Sequence, residues 1–167
     1  MKATLYYNEI MNLLIVSDLF RIGSMIALDV GRSRVGIAGC DATGIAVTPL
    51  LPLLRSTIEQ DLIYLREIIR KRCSVALIIG LPLSDSNQVT IQAIHCRRYG
   101  KKLAQKLQLP VAWVNEHSSS WNAAELHNLS YDRSGHLDSM VAYMLLEQWL
   151  NEKRKSQSTL TITGSAN

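Results

Sequence analysis

The chain has 167 residues, 47% of them hydrophobic, and 18 basic against 14 acidic side chains give it a formal charge of +4. That length fills one core and is short for two, so a single catalytic-size domain is expected. Cys40, Cys73 and Cys96 are dispersed without a CxxC pair, which excludes a zinc-finger pattern and a disulfide framework and fits a reduced, cytoplasmic setting.

In chain order, residues 1–24 fit no element that the core needs. They read as an N-terminal extension: an added ordered segment, a flexible arm, or a start codon placed upstream of Met25. The apolar stretch from Met11 to Phe20 holds Asp18 and is too brief to span a bilayer. Met25 to Val30 (MIALDV) reads as a buried strand, Gly31-Arg32-Ser33 as a turn, and Val35 to Gly39 (VGIAG) as the returning strand of a hairpin. Ile45 to Leu54 is broken by Pro49 and Pro52 and predicts an edge strand, because proline cannot donate to a central ladder. Ile58, Leu62, Leu65, Ile68 and Ile69 recur at helical spacing, ending in the basic run Arg70 to Arg72, which suits the negative end of a helix dipole.

Val75 to Ile79 (VALII) is a continuous apolar run stopped by Gly80-Leu81-Pro82, the pattern of a parallel strand covered on both faces. Ser84 to Gln88 leads into a helix carrying Ile91, Ile94, Leu103 and Leu107. Val111 to Val114 forms a short strand with Asn115-Glu116 at its C-terminal end, and Ser118 to Ser120 can cap a short helix through Leu126. Leu137 to Leu150 is apolar on most of its circumference and predicts a buried helix. The residues after Lys155 are small and polar and are expected to be disordered, leaving 25–152 as the domain and 153–167 as a polar tail. The order of elements predicts an α/β fold, a mixed sheet flanked by helices.

Three acids stand at chemically suggestive places: Asp29 near the end of its strand, Glu116 closing another, and Asp138 opening the last helix. Ligands of open α/β sheets gather beyond the carboxyl ends of the strands. With the hairpin strand in mid-sheet, Asp29 is expected beside the strand of Glu116, with the first turn of the last helix over both. Carboxylates so gathered repel one another unless cations sit among them. Each also has a structural alternative: Asp138 as a first-turn acid, Glu116 as a salt-bridge partner, Asp29 as a turn former. The basic residues cluster at Arg32/Arg34, Arg66 to Arg72, Arg97/Arg98 with Lys101/Lys102, and Lys153 to Lys155. Such clusters suit a polyanionic partner and equally suit solvated helix faces.

The segment Ala27-Leu28-Asp29-Val30-Gly31-Arg32-Ser33-Arg34-Val35-Gly36-Ile37-Ala38, then Ile79-Gly80-Leu81-Pro82-Leu83, Asn115-Glu116-His117 and Leu137-Asp138-Ser139 together resemble the YqgF family of bacterial pre-16S ribosomal RNA nucleases, once described as Holliday-junction resolvase-like. The resemblance covers residues 25 to about 150 in the family's order. It implies a ribonuclease H-like five-stranded sheet and a metal-dependent endonuclease acting on structured RNA, processing the 5′ end of pre-16S rRNA. It also implies that Asp29, Glu116 and Asp138 are the catalytic acids and bind magnesium or manganese. Arg32 and Arg34 are then candidate nucleic-acid contacts, and Gly31 and Gly36 permit a tight hairpin and close approach of substrate. Branched DNA is the alternative substrate, and non-catalytic RNA binding during ribosome assembly is the alternative role. The chain departs from the family where His117 replaces the usual arginine, a candidate contact whose charge changes near neutral pH. It departs again at Ser84 to Asn87 and where His136 replaces a common lysine.

Overall fold

The computed structural model describes residues 23–84, 86, 88–115 and 136–163. Five strands, β1 (Ser24–Val30), β2 (Arg34–Cys40), β3 (Val47–Leu54), β4 (Ser74–Leu81) and β5 (Val111–Asn115), form one sheet in the order β3-β2-β1-β4-β5. The β1–β2 and β2–β3 pairs are antiparallel, whereas β1–β4 and β4–β5 are parallel. Among the described residues three helices pack on this mixed sheet: α1 (Ile58–Arg72), α2 (Ile91–Leu107) and α3 (His136–Thr163). This is the expected α/β architecture, with the proline-bearing strand at an edge.

Local chemistry sets the limits of the first two helices. Thr57 accepts a hydrogen bond from Gln60 N at 3.3 Å, and Thr90 accepts one from Ala93 N at 3.0 Å, so each hydroxyl satisfies a donor that the first turn would leave unpaired. Both helices close on a left-handed residue, Cys73 at φ 51° and Gln108 at φ 55°.

The two faces of the sheet carry different side chains because neighbours along a strand alternate in direction. One face presents Ile26, Leu28, Val35, Ile37, Leu77 and Ile79 to Leu62 and Leu65 of α1 and Tyr99 and Leu103 of α2. The other presents Ala27, Ala38, Ala76, Ile78, Ala112 and Val114 to Ala142, Leu145, Leu146, Trp149 and Leu150 of α3. Four alanines, Ala27, Ala38, Ala76 and Ala112, lower the second floor and let a single helix lie close upon it.

Helix α3 extends to Thr163, where composition predicts disorder after Lys155. The sequence offers a reason: no glycine or proline interrupts it between Gly135 and Gly164. No helix among the described residues is long and apolar enough to cross a membrane.

Candidate active site

Asp29 lies directly opposite Gly36 in the β1–β2 ladder. The alternation that puts Ala27 and Ala38 under α3 puts Asp29, Gly36 and Arg34 on the same face. Helix α3 begins above them. A Cβ built on Gly36 would collide with the backbone carbonyl oxygen of Asp138, so helix and strand touch backbone to backbone at this point. The β2–β3 register shifts between Val35 and Ile37, and the Ile37 N–H donates to Ser139 Oγ at 3.4 Å. A bulge of this kind turns a ladder donor away from its strand partner, and the buried serine uses it to pin the first turn of α3. Gly36 therefore serves the approach of the helix, where sequence reading assigned it to the approach of substrate.

This docking sets the start of α3 over the strand position next to Asp29. Asp138 stands in the helix's first turn, at the positive end of the dipole. Arg34 Nη1 lies 3.9 Å from Asp138 Oδ2, with both side chains partly exposed. A loose, solvated pair of this kind contributes about 1 kcal/mol or less, so Arg34 is held near the acids without being locked there. Arg32 is exposed on the hairpin turn.

The backbone beneath the carboxylate is fixed from the opposite side of the sheet. Val30 O accepts from Gln92 Nε2 at 3.1 Å and Cys96 Sγ at 3.3 Å, and Gly31 O accepts from Arg55 Nη1 at 2.8 Å. The turn closes through Gly31 N to Arg34 O at 2.9 Å, and Arg55 N adds a bond to Ser33 O at 2.9 Å. A Cβ on Gly31 would stand only 2.9 Å from Arg34 O, which is why the turn takes glycine there.

One expectation needs correction. The strand of Asp29 is central, but the strand leading to Glu116 is not beside it, because β4 stands between them. Asp29 is thus two strands from β5, on the order of 10 Å at the usual strand spacing. The parallel registers align Leu28 with Ile79 and Ile79 with Trp113. One step further on, the α3 side of β4 carries Gly80, so the interval between Asp29 and the end of β5 has no side chain from the intervening strand. Glu116 and His117 lie outside the described residues, as does the expected short helix through Leu126. Among the described residues, no three His, Cys, Asp or Glu side chains are grouped to hold a metal ion.

Sequence reading missed a polar cluster on the α1/α2 side. Asp61 is 1% exposed and accepts from Ser56 N at 3.0 Å and Tyr99 Oη at 2.8 Å. Burial first, then the hydrogen bond to Asp61 and that carboxylate's charge, push the Tyr99 hydroxyl well above its ordinary pKa, keeping it a donor. The Arg55 guanidinium stacks 4.2 Å from the Tyr99 ring centroid and donates to His95 Nε2 at 2.8 Å. One signal was available in the sequence: Asp61 falls between Ile58 and Leu65 on the apolar stripe of α1, an unusual place for an acid.

A family model described as RuvX, Holliday junction resolvase, matches residues 23–152. The chain belongs to the RuvX family. Among its relatives, a protein of Parasynechococcus marenigrum (strain WH8102) described as "Putative pre-16S rRNA nuclease" is 55% identical over 129 residues, covering 77% of this chain and 82% of the relative. One of Synechococcus sp. (strain CC9902), with the same description, is 52% identical over 145 residues, covering 85% and 88%. Among solved structures, Thermus thermophilus RuvC superposes with a TM-score of 0.50 at 11% identity, covering 77% of this chain and 95% of that one. That likeness supports the ribonuclease H-like fold, and the RuvX match bears out the resemblance carried by the motifs.

Proposed function

We propose that the protein is a divalent-cation-dependent endonuclease that hydrolyses phosphodiester bonds in structured RNA, with precursor 16S rRNA as the substrate. The observation that carries this reading is the backbone contact of Asp138 on Gly36, the ladder partner of Asp29. It brings acids from distant parts of the sequence to one edge of one face, where Arg34 supplies a cation. In this reading Glu116, which follows β5 in the sequence, is the third acid.

Asp29, Asp138 and Glu116 offer hard oxygen donors, which fit magnesium or manganese better than softer metals. A bound cation would supply Lewis acidity toward the phosphoryl group and a more acidic water nucleophile. The chain's own part is to hold the carboxylates in place through the gripped hairpin and the docked helix, with Arg34 and Arg32 facing the phosphate backbone and His117 as a further contact. Residues 25–152 form the catalytic domain in this reading. A cytoplasmic location agrees with three cysteines that form no disulfide.

Asp29→Asn and Asp138→Asn should each reduce cleavage of a precursor RNA at least a thousandfold in magnesium while leaving the thermal unfolding midpoint within a few degrees. Full activity in both variants would refute the assignment. The description of the family model favours branched DNA as a second reading. Cleavage of a four-way DNA junction and of precursor RNA, assayed side by side, decides between them, with the RNA expected to be cut faster.

A further inference from the structure

On the face of the sheet away from α3, a cleft of about 260 Å³ opens between the end of β3 and helix α2, lined by Arg55, Ser56, Asp61, His95, Arg98 and Lys102 over the Tyr99 ring. His95, Arg98 and Lys102 follow one another at helical spacing along one exposed stripe of α2. The one acid in the lining, Asp61, is buried and has both oxygens engaged by Ser56 N and Tyr99 Oη. Among the described residues neither Arg55, Arg98 nor Lys102 is in an ion pair.

Arg55 is held in a fixed orientation. Its Nη1 reaches the carbonyls of Gly31 at 2.8 Å and Arg32 at 3.3 Å, its plane lies over Tyr99, and His95 accepts from it through Nε2. A pre-set guanidinium beside two exposed cations, Arg98 and Lys102, is the chemistry that takes a phosphate oxygen. The cleft is also joined to the acids: Gly31 closely follows Asp29, so the Arg55 guanidinium stands on the order of 10 Å from the Asp29 backbone.

We propose that this cleft is a second contact for nucleic acid, a phosphate site that takes a backbone phosphodiester of the RNA strand away from the scissile bond. The proposal rests on the nucleic-acid reading of the opposite face and extends it around the hairpin tip. On this view the β1–β2 turn is a divider: acids and Arg34 on one side act on the bond to be cut, while the cationic cleft on the other holds the continuing strand.

The test is the affinity of the full chain for a hairpin RNA from the precursor, measured by fluorescence anisotropy in EDTA so that cleavage does not compete. The variant Arg98→Ala with Lys102→Ala alters two exposed side chains, and its fold is checked by thermal unfolding. It should bind about tenfold more weakly at 0.1 M salt, and the slope of log K against log salt should shrink by roughly one unit, as expected for about one lost phosphate contact. The control, Arg70→Ala with Lys71→Ala at the far end of α1, removes equal charge and should cost at most about twofold. Unchanged affinity in the cleft variant, or equal losses in both pairs, would overturn the proposal. So would loss of inorganic phosphate binding alone, read from the His95 ring resonances, with RNA affinity intact. These readouts need no turnover. A wild-type chain that binds but does not cut in magnesium would remove the nuclease assignment and leave the cleft standing.

Discussion

The two faces of the sheet solve different problems. Under α3 four alanines and Gly36 thin the floor, and the helix comes near enough for the Asp138 backbone to rest on Gly36. Under α1 and α2 the floor is Ile26, Leu28, Leu77 and Ile79, and contact is made by interlocking side chains. Close backbone contact leaves a helix little freedom, which suits the placing of carboxylates proposed for this face. Side-chain packing is more forgiving, and that face grips the hairpin from behind through Arg55, Gln92 and Cys96.

The largest effect that would break this comparison is expected at Gly36. Gly36→Ala drives a methyl into backbone that cannot swing aside, so α3 must move. We expect a loss of about 1–3 kcal/mol, as for other overpacked sites, and a fall in cleavage of at least a hundredfold. On the other face, a Cβ at Gly100 would lie 2.6 Å from Ile79 Cδ1 and 2.7 Å from Trp113 Cη2, both side-chain ends. Gly100→Ala also gains up to about 1 kcal/mol of helix propensity, so urea denaturation should place it within about 1 kcal/mol of wild type with cleavage unchanged. Equal damage from both substitutions would mean that the faces are equally rigid.

A smaller effect sharpens the account of the gripping side. Tyr99→Phe deprives the buried Asp61 carboxylate of one of its donors and should cost about 1–3 kcal/mol at neutral pH. Its pH signature is distinct. The folded chain holds the Tyr99 proton more tightly than the unfolded chain, whose tyrosines titrate near pH 10. This contribution is therefore complete below about pH 10 and is lost as pH rises above it. The difference between wild-type and Tyr99→Phe denaturation free energies should shrink between about pH 10 and pH 12, and a constant difference would show that the phenolic proton plays no part.

The least perturbing prediction concerns thiols. Cys73 is exposed, whereas Cys40 and Cys96 are buried on opposite faces, and burial raises the pKa of the Cys40 thiol. A disulfide reagent should modify one cysteine quickly and the other two only on unfolding. A second fast thiol would show that one of the two helix layers opens under native conditions.

The strands and main helices were legible because their apolar residues repeat with the right periods, and Pro49 and Pro52 correctly marked an edge. Asp29 and Asp138 were legible as strand-end and helix-start acids. The insertion of β4 between β1 and β5 was not, since spacing along a chain does not determine which strands become neighbours. The true partner of Gly36 was hidden for the same reason: a glycine can serve a turn, a substrate or a helix, and only the packing distinguishes them. Arg55, Asp61 and Tyr99 come from a loop and two helices, and singly each looks like an ordinary polar residue.

Helix α3 is secured at more than its first turn. Past the apolar stretch, Arg154 donates to the carbonyl of Gly44, in a bend that Asp41 organises by accepting from Thr43 Oγ1, Ile45 N and Ala46 N. At 1.5 Å per residue that anchor is about 24 Å along the axis from Asp138. The helix therefore behaves as a beam clamped at two points, and loosening the remote clamp would let the near end pivot over the strand it bears on. Gly44 and Arg154, far from any bond being broken, thus form a distant handle on the alignment of the acids.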